Sequence, residues 1–260
     1  MSNLRDNVDR RHGSSPVGKT VFCGLRLLDS LLQYTILSRH VLASFVPMLL
    51  GGSLAPPAVS GTTTLLGLSP YQLLILSMAI GSSIKHTFWV IFISQQQMPV
   101  GLAFTIAGIN TVMNSLNTVF SLWSRTSPYS STDPSWASVL QNAPVLLGLL
   151  FYITGILVET SAEIQRSRFK RDSRNAGKPY GSGLFGWARN INYGGYTLWR
   201  SGYSFAAAGP VWGVTVGSFF FHDFATRGVP VLDKYCQQRY GDAWTEIRKR
   251  VPDVLFPGLY

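Results

Sequence analysis

The sequence predicts an all-α integral membrane protein: a multi-span helical bundle of about four full spans followed by a C-terminal helical hairpin. Three observations carry this. Of 260 residues, 46% are hydrophobic and only 13% are charged, about half the charge of an ordinary soluble domain. Between Val41 and Val158 the only charged residues are Lys85, Arg125 and Asp133. The basic residues that make the net charge +10 gather outside that stretch, at Arg5 to Lys19, Arg166 to Arg200 and Arg227 to Arg250, the distribution that the positive-inside rule produces.

A helix crosses the hydrocarbon core with about 20 apolar residues, and four stretches qualify: Val41 to Val59, Tyr71 to Ser94, Val100 to Trp123 and Val139 to Val158. Ahead of them, Val21 to Leu37 carries Arg26 and Asp29 among leucines, a pattern expected to lie on the membrane surface. Residues 1–18 have no apolar core and read as a disordered cytosolic tail rather than a cleaved signal. The last apolar stretch, Thr197 to Phe221, is interrupted by Gly209-Pro210. A hairpin that enters and leaves on the cytosolic face keeps the basic segment after it in the cytosol, which a single kinked span would not. Both termini are then cytosolic. The divisions expected are the tail 1–18, a transmembrane bundle 19–162 and a cofactor-binding region 163–260.

Composition excludes other classes. Abundant hydrophobics and only two cysteines exclude disorder and a disulfide scaffold. No recognition module accompanies the basic residues, so nucleic acid is not an expected partner. Cys23 and Cys236 have neither CxxC spacing nor a histidine pair nearby, so no metal site is expected.

From Ala162 onward the sequence changes character. Arg166 and Lys170, four residues apart, share one face of the helix leaving the membrane, where two cations suit phosphates. Gly181 to Tyr196 interleaves five glycines with Leu184, Phe185, Trp187 and Tyr193, which combines close backbone approach with flat aromatic walls. Arg189, Asn190 and Asn192 at a membrane boundary are costly unless partnered. Asp233, Lys234, Gln237, Arg239 and Tyr240 fall on a helix of about ten residues ended by Gly241.

The order Gln165-Arg166-x-x-Phe169-Lys170-x-Asp172, Gly183-Leu184-Phe185-x-x-Ala188-Arg189-Asn190-x-Asn192-Tyr193, Asp233-x-x-Cys236-x-x-Arg239-Tyr240-Gly241-x-x-Trp244 and Val251-Pro252 resembles the C-terminal half of membrane sterol reductases. These are the ergosterol-pathway and lamin B receptor type enzymes and the steroid 5-alpha-reductase-like proteins. Isoprenylcysteine carboxyl methyltransferases share the architecture more distantly. The resemblance implies a cytosolic pocket for NADPH and a hydrophobic lipid substrate entering from the bilayer, in the endoplasmic reticulum. Position by position, it implies that Arg166 and Lys170 face the phosphates, that Phe185 is an aromatic wall, and that Arg189, Asn190, Asn192 and Tyr193 form the pocket core. Asp233, Cys236 and Tyr240 belong to its closing helix. Asn190, Tyr196 and Leu232 stand where the pattern usually has His and two acidic residues.

The expected function is NADPH-dependent reduction of a carbon–carbon double bond in a sterol, terpenoid or other hydrophobic lipid, with Tyr193 as proton donor and Glu159 positioning substrate. Two alternatives stand beside it: a lipid methyltransferase using S-adenosylmethionine in the same pocket, and a non-catalytic membrane protein in which the three departures mark a decayed pocket.

Overall fold

The computed structural model describes residues 13–54, 65–129 and 135–260. Among them it is helical, with one isolated bridge between Leu54 and Trp123. The helices are α1 Pro16–Arg39, α2 Phe45–Leu50, α3 Pro70–Phe88, α4 Val100–Leu122, α5 Trp136–Gln141, α6 Ala143–Arg171, α7 Ile191–Asp223, α8 Val229–Tyr240 and α9 Asp242–Arg250. Three segments, Pro70–Ile93, Ala143–Arg171 and Ile191–Tyr240, are long and apolar enough to cross a membrane. The chain divides into two compact units. Over the described residues, one comprises Ile153–Arg200 and Thr215–Tyr260, and the other 13–152 together with Ser201–Val214.

In the unit containing α1 to α5, two expectations are corrected. The stretch Val41 to Val59 does not form a span among its described residues. Its only helix is α2, six residues long, and Gly51 (φ 74°) and Gly52 (φ 89°) turn the chain out of it. Six residues rise about 9 Å, far short of a bilayer. The positions from 55 to 59 lie outside the described residues. Conversely, the stretch expected on the membrane surface is a full member of the bundle. α1 packs along α4 and α3, burying Arg26, Asp29 and Gln33 while Leu27 (66% exposed), Leu28 and Leu31 face outward. Polar residues inside and leucines outside is the pattern of a helix whose surroundings are apolar. α1 also begins at Pro16, inside the stretch expected to be tail, because proline at the first turn loses no hydrogen bond there.

α3 starts on a reciprocal cap in which the Gln72 backbone N–H donates to Ser69 Oγ (3.2 Å) and the Ser69 N–H donates to Gln72 Oε1 (2.9 Å).

The hairpin expected at Gly209-Pro210 is present. Helical geometry breaks at Ala208 (φ −143°) and Gly209 (φ 74°), and the two arms run antiparallel. Tyr193 stacks on Phe224 with ring centroids 4.5 Å apart, Tyr196 meets Phe220 at 5.1 Å, and Ser201 Oγ donates to the Gly213 carbonyl at 2.9 Å. Breaking a helix orphans its last carbonyls. Buried Tyr71 answers two of them, its hydroxyl lying 3.0 Å from the carbonyls of Ala206 and Ala207. Tyr71→Phe is therefore expected to lower stability by about 1–3 kcal/mol, the cost of leaving buried acceptors unpaired, read as a fall in the unfolding midpoint in detergent.

α6 and α7 approach with almost no side chain between them, through glycines seven residues apart on each helix. In one unit a Cβ on Gly202 would lie 2.6 Å from the Gly148 carbonyl; in the other a Cβ on Gly155 would lie 2.6 Å from the Gly195 carbonyl. Such separations are below any real contact, so the helices must move apart to admit a side chain. Gly155→Val is expected to cost about 1–3 kcal/mol or more by overpacking. Loss of the monodisperse peak on size-exclusion chromatography would report it.

Candidate functional site

The residues singled out in the C-terminal part all lie within the unit of Ile153–Arg200 and Thr215–Tyr260. At its centre is a carboxylate that the sequence reading passed over. Glu163, on α6 and buried, accepts from Arg166 Nη2 at both oxygens (2.7 and 2.6 Å) and from Asn192 Nδ2 on α7 (2.7 Å). The i,i+3 spacing puts Glu163 and Arg166 on one face, and the ion pair is half-covered, with the Arg166 side chain 35% exposed. The guanidinium lies over the Phe185 ring at 5.4 Å and within electrostatic reach of Tyr193 and Cys236. Arg166, Phe185 and Asn192 are thus brought together around Glu163.

Asn192 has a further property. Its Nδ2 is fixed on Glu163, which settles the orientation of the amide, yet its buried Oδ1 accepts no hydrogen bond from the described residues. Nor does Thr160 Oγ1, also buried and one turn before Glu163 on α6.

Phe185 is buried and packs among Ala162, Ala188 and Ile191, with Tyr180 at 5.6 Å. Gly183 is held at a positive φ of 58° beside Gln165, whose Oε1 caps the Leu184 N–H at 2.9 Å. A side chain on Gly183 would collide with that amide.

Lys170 stands apart from the Glu163 group. Its ammonium donates to the Lys178 carbonyl and to the Tyr240 hydroxyl, the latter at 2.9 Å, and lies 4.7 Å over the Tyr240 ring. Lys170 and Tyr240 therefore pair with each other. Arg189 and Asn190 hold the C-terminal segment in place. The Arg189 guanidinium donates to the carbonyls of Val251 (2.7 Å) and Pro252 (2.9 Å), and the backbone N–H groups of Arg189 and Asn190 donate to Asp253 and Val254. Burial lowers the Arg189 pKa from the usual arginine range, opposed by the nearby Asp233 charge. Asp233 itself accepts from Trp244 Nε1 at 2.9 Å and pairs with Arg248 at 3.4 Å, tying α8 to α9. Cys236 is buried among Trp244, Ile247 and Tyr240.

Glu159 is buried one turn before Glu163 and accepts from Trp199 Nε1 at 2.7 Å. Trp199 and its neighbour Arg200 were missed too. Arg200 is buried, with its guanidinium 4.3 Å over the Trp199 ring and Nε donating to the Tyr196 hydroxyl at 3.1 Å. The legible signal was the pair Glu159 and Glu163 on one helix face opposite Asn192 and Trp199, seven residues apart on the next helix. No group of three or more His, Cys, Asp or Glu side chains suited to a metal ion occurs among the described residues.

Residues 74–251 match the family described as "Protein of unknown function (DUF1295)". The chain is also 37% identical over 241 residues to a protein of Ustilaginoidea virens named "Probable O-methyltransferase ustE", an alignment that covers 90% of this chain and 84% of the relative. With more than half its length matched, the chain belongs to the DUF1295 family.

Proposed function

We propose that this protein is a membrane-embedded O-methyltransferase that uses S-adenosylmethionine to methylate an oxygen of a hydrophobic lipid substrate. The observation that carries the reading is the likeness along nine-tenths of the chain to a protein named as a probable O-methyltransferase. The site supports the same choice over the reductase expectation. Asn192 Oδ1 accepts hydrogen bonds and Thr160 Oγ1 accepts or donates them; ribose hydroxyls and an adenine amine are common to both cofactors, and S-adenosylmethionine adds an ammonium donor. The phosphates of NADPH bring acceptors. The two cations assigned to those phosphates are engaged, Arg166 on Glu163 and Lys170 on the Lys178 carbonyl and Tyr240.

Asn192 and Thr160 would hold the cofactor, and the outer faces of the stacked Tyr193 and Phe224 suit a positive sulfur. When bound, S-adenosylmethionine supplies a methyl group on a sulfonium, whose carbon–sulfur bond breaks as the oxygen–carbon bond forms and whose sulfur leaves neutral. Glu163, oriented by Arg166 and Asn192, takes the proton of the substrate hydroxyl. Glu159 and Trp199 hold α6 against α7 beneath it. Tyr193 keeps a place at the site as a wall, and a Tyr193→Phe variant separates wall from proton donor. The setting proposed is the endoplasmic reticulum, from the resemblance to membrane sterol reductases, with both termini in the cytosol, from the basic segments flanking the spans.

Purified protein incubated with S-adenosylmethionine labelled in its methyl group and a panel of hydroxylated apolar acceptors tests this. Label is expected in an organic-extractable product bearing a new methyl ether or ester. NADPH consumption coupled to saturation of a double bond, without methyl transfer, would overturn it.

A further inference from the structure

The unit built on α1, α3 and α4 contains a second polar cluster that the proposed reaction does not use. Arg26 and Asp29 form a buried ion pair at 2.9 Å. Arg26 Nη2 also donates to Ser82 Oγ (3.2 Å) and Ser83 Oγ (3.0 Å) on α3. The Asp29 carboxylate accepts two amides besides, Gln33 Nε2 at 2.9 Å and Asn114 Nδ2 of α4 at 2.8 Å. Gln33 Nε2 reaches Ser115 Oγ at 3.0 Å as well.

These donors fix the orientation of both amides and turn their oxygens elsewhere. Gln33 Oε1 and Asn114 Oδ1 accept nothing from the described residues, and neither does Thr118 Oγ1. All three side chains are fully buried. Asp29 meets Asn114 at a separation of 85 in the chain, and the same offset sets Thr118 level with Gln33 on the parallel helices α1 and α4. The three unpaired oxygens therefore follow one seam between two helices.

The chemistry of an occupant follows from this. An anion brings acceptors to two amide oxygens that only accept, with the Thr118 hydroxyl as its one donor there. A cation finds oxygens, but the Arg26 and Asp29 charges already cancel, so it adds an uncompensated charge to an interior that penalises one. A neutral donor remains. We propose that the α1/α4 seam is a binding site for a hydroxyl group, which donates to Gln33 Oε1 or Asn114 Oδ1 and accepts from Thr118 Oγ1. The hydroxyl belongs either to the polar end of an apolar molecule taken from the bilayer or to a water molecule. Neither source depends on the methyltransferase reading, and failure here leaves that reading untouched.

Thermal unfolding of the full chain in detergent, titrated with 1-dodecanol and with dodecyl methyl ether, tests the site. The ether has the same chain and no donor. The alcohol is expected to raise the midpoint and the ether to leave it unchanged. Thr118→Val, nearly isosteric, is expected to weaken the alcohol's apparent affinity at least ten-fold. Gln33→Met should do the same, and Thr118→Val decides alone if that variant does not fold. If neither probe acts and an experimental density map shows ordered water on Gln33 and Asn114, the hydroxyl is water's and the site stands. A midpoint that moves when sodium replaces choline, or a seam with neither alcohol response nor water, would overturn the proposal.

Discussion

Asp29→Ala is expected to be the most damaging single substitution in the α1/α3/α4 bundle, costing about 3–5 kcal/mol. The carboxylate accepts from Arg26, Gln33 and Asn114. Removing it leaves the fully buried Arg26 without its counter-charge and takes the charged acceptor from two amides, which keep only Ser115 and Ser82. A loss of that size is comparable with the whole stability of many domains, so little folded protein should be recovered after extraction. The paired variant Arg26→Leu with Asp29→Leu removes both charges together, and such replacements are often neutral or stabilising. It is expected to recover most of the loss. An unfolding midpoint for Asp29→Ala close to that of the parent would mean that α1 is not held in the bundle by this network.

Asn192→Leu is expected to weaken S-adenosylmethionine at least ten-fold while the protein stays folded. The side chain makes one hydrogen bond to a charged group, Nδ2 to Glu163 at 2.7 Å, and offers Oδ1 to the cofactor. A bond to a charged group is worth about 1.5–3 kcal/mol, and each 1.4 kcal/mol is a factor of ten. Lys170→Ala provides the contrast. Its ammonium is spent on the Lys178 carbonyl and Tyr240, so cofactor affinity should barely change, whereas a role in gripping phosphate would make the same substitution costly. Equilibrium binding of both variants, with unfolding midpoints measured in parallel, separates the cases.

The helical class was legible because hydropathy and charge segregation are summed over long stretches, where single exceptions do not matter. The hairpin was legible because Gly209-Pro210 forces a break in the helix. α1 was misjudged for a physical reason. An Arg and an Asp among leucines look alike on a helix lying at an interface and on one turned inside out in a bundle. Only the partners decide, and Ser82, Ser83 and Asn114 lie 56 to 85 residues away in sequence. Val41 to Val59 failed in the opposite sense. Its hydropathy suits a span, but the local backbone requirement of Gly51 and Gly52 ends α2 after two turns.

At the site, proximity in sequence was a poor guide to proximity in space. Arg166 and Lys170 share a helix face, yet Arg166 turns to Glu163 and Lys170 to Tyr240. Arg189 and Asn190 adjoin Asn192, but they serve the chain segment 251–254 through bonds to its backbone carbonyls, which no periodicity in the sequence signals. Glu163 was within reach of sequence reasoning, since an acidic residue three before Arg166 is a pairing pattern. Its role as the common acceptor for Arg166 and Asn192 needed the packing of α6 on α7, which rests on glycines 155 and 195.

The most direct measurement is the binding of S-adenosylmethionine and of NADPH to the same purified, detergent-solubilised protein, by titration calorimetry with each ligand alone and in competition. Saturable binding of S-adenosylmethionine, displaced by S-adenosylhomocysteine and weakened by Asn192→Leu, with no heat from NADPH, is the result predicted. Saturable NADPH binding that Lys170→Ala abolishes, with S-adenosylmethionine inert, would contradict it.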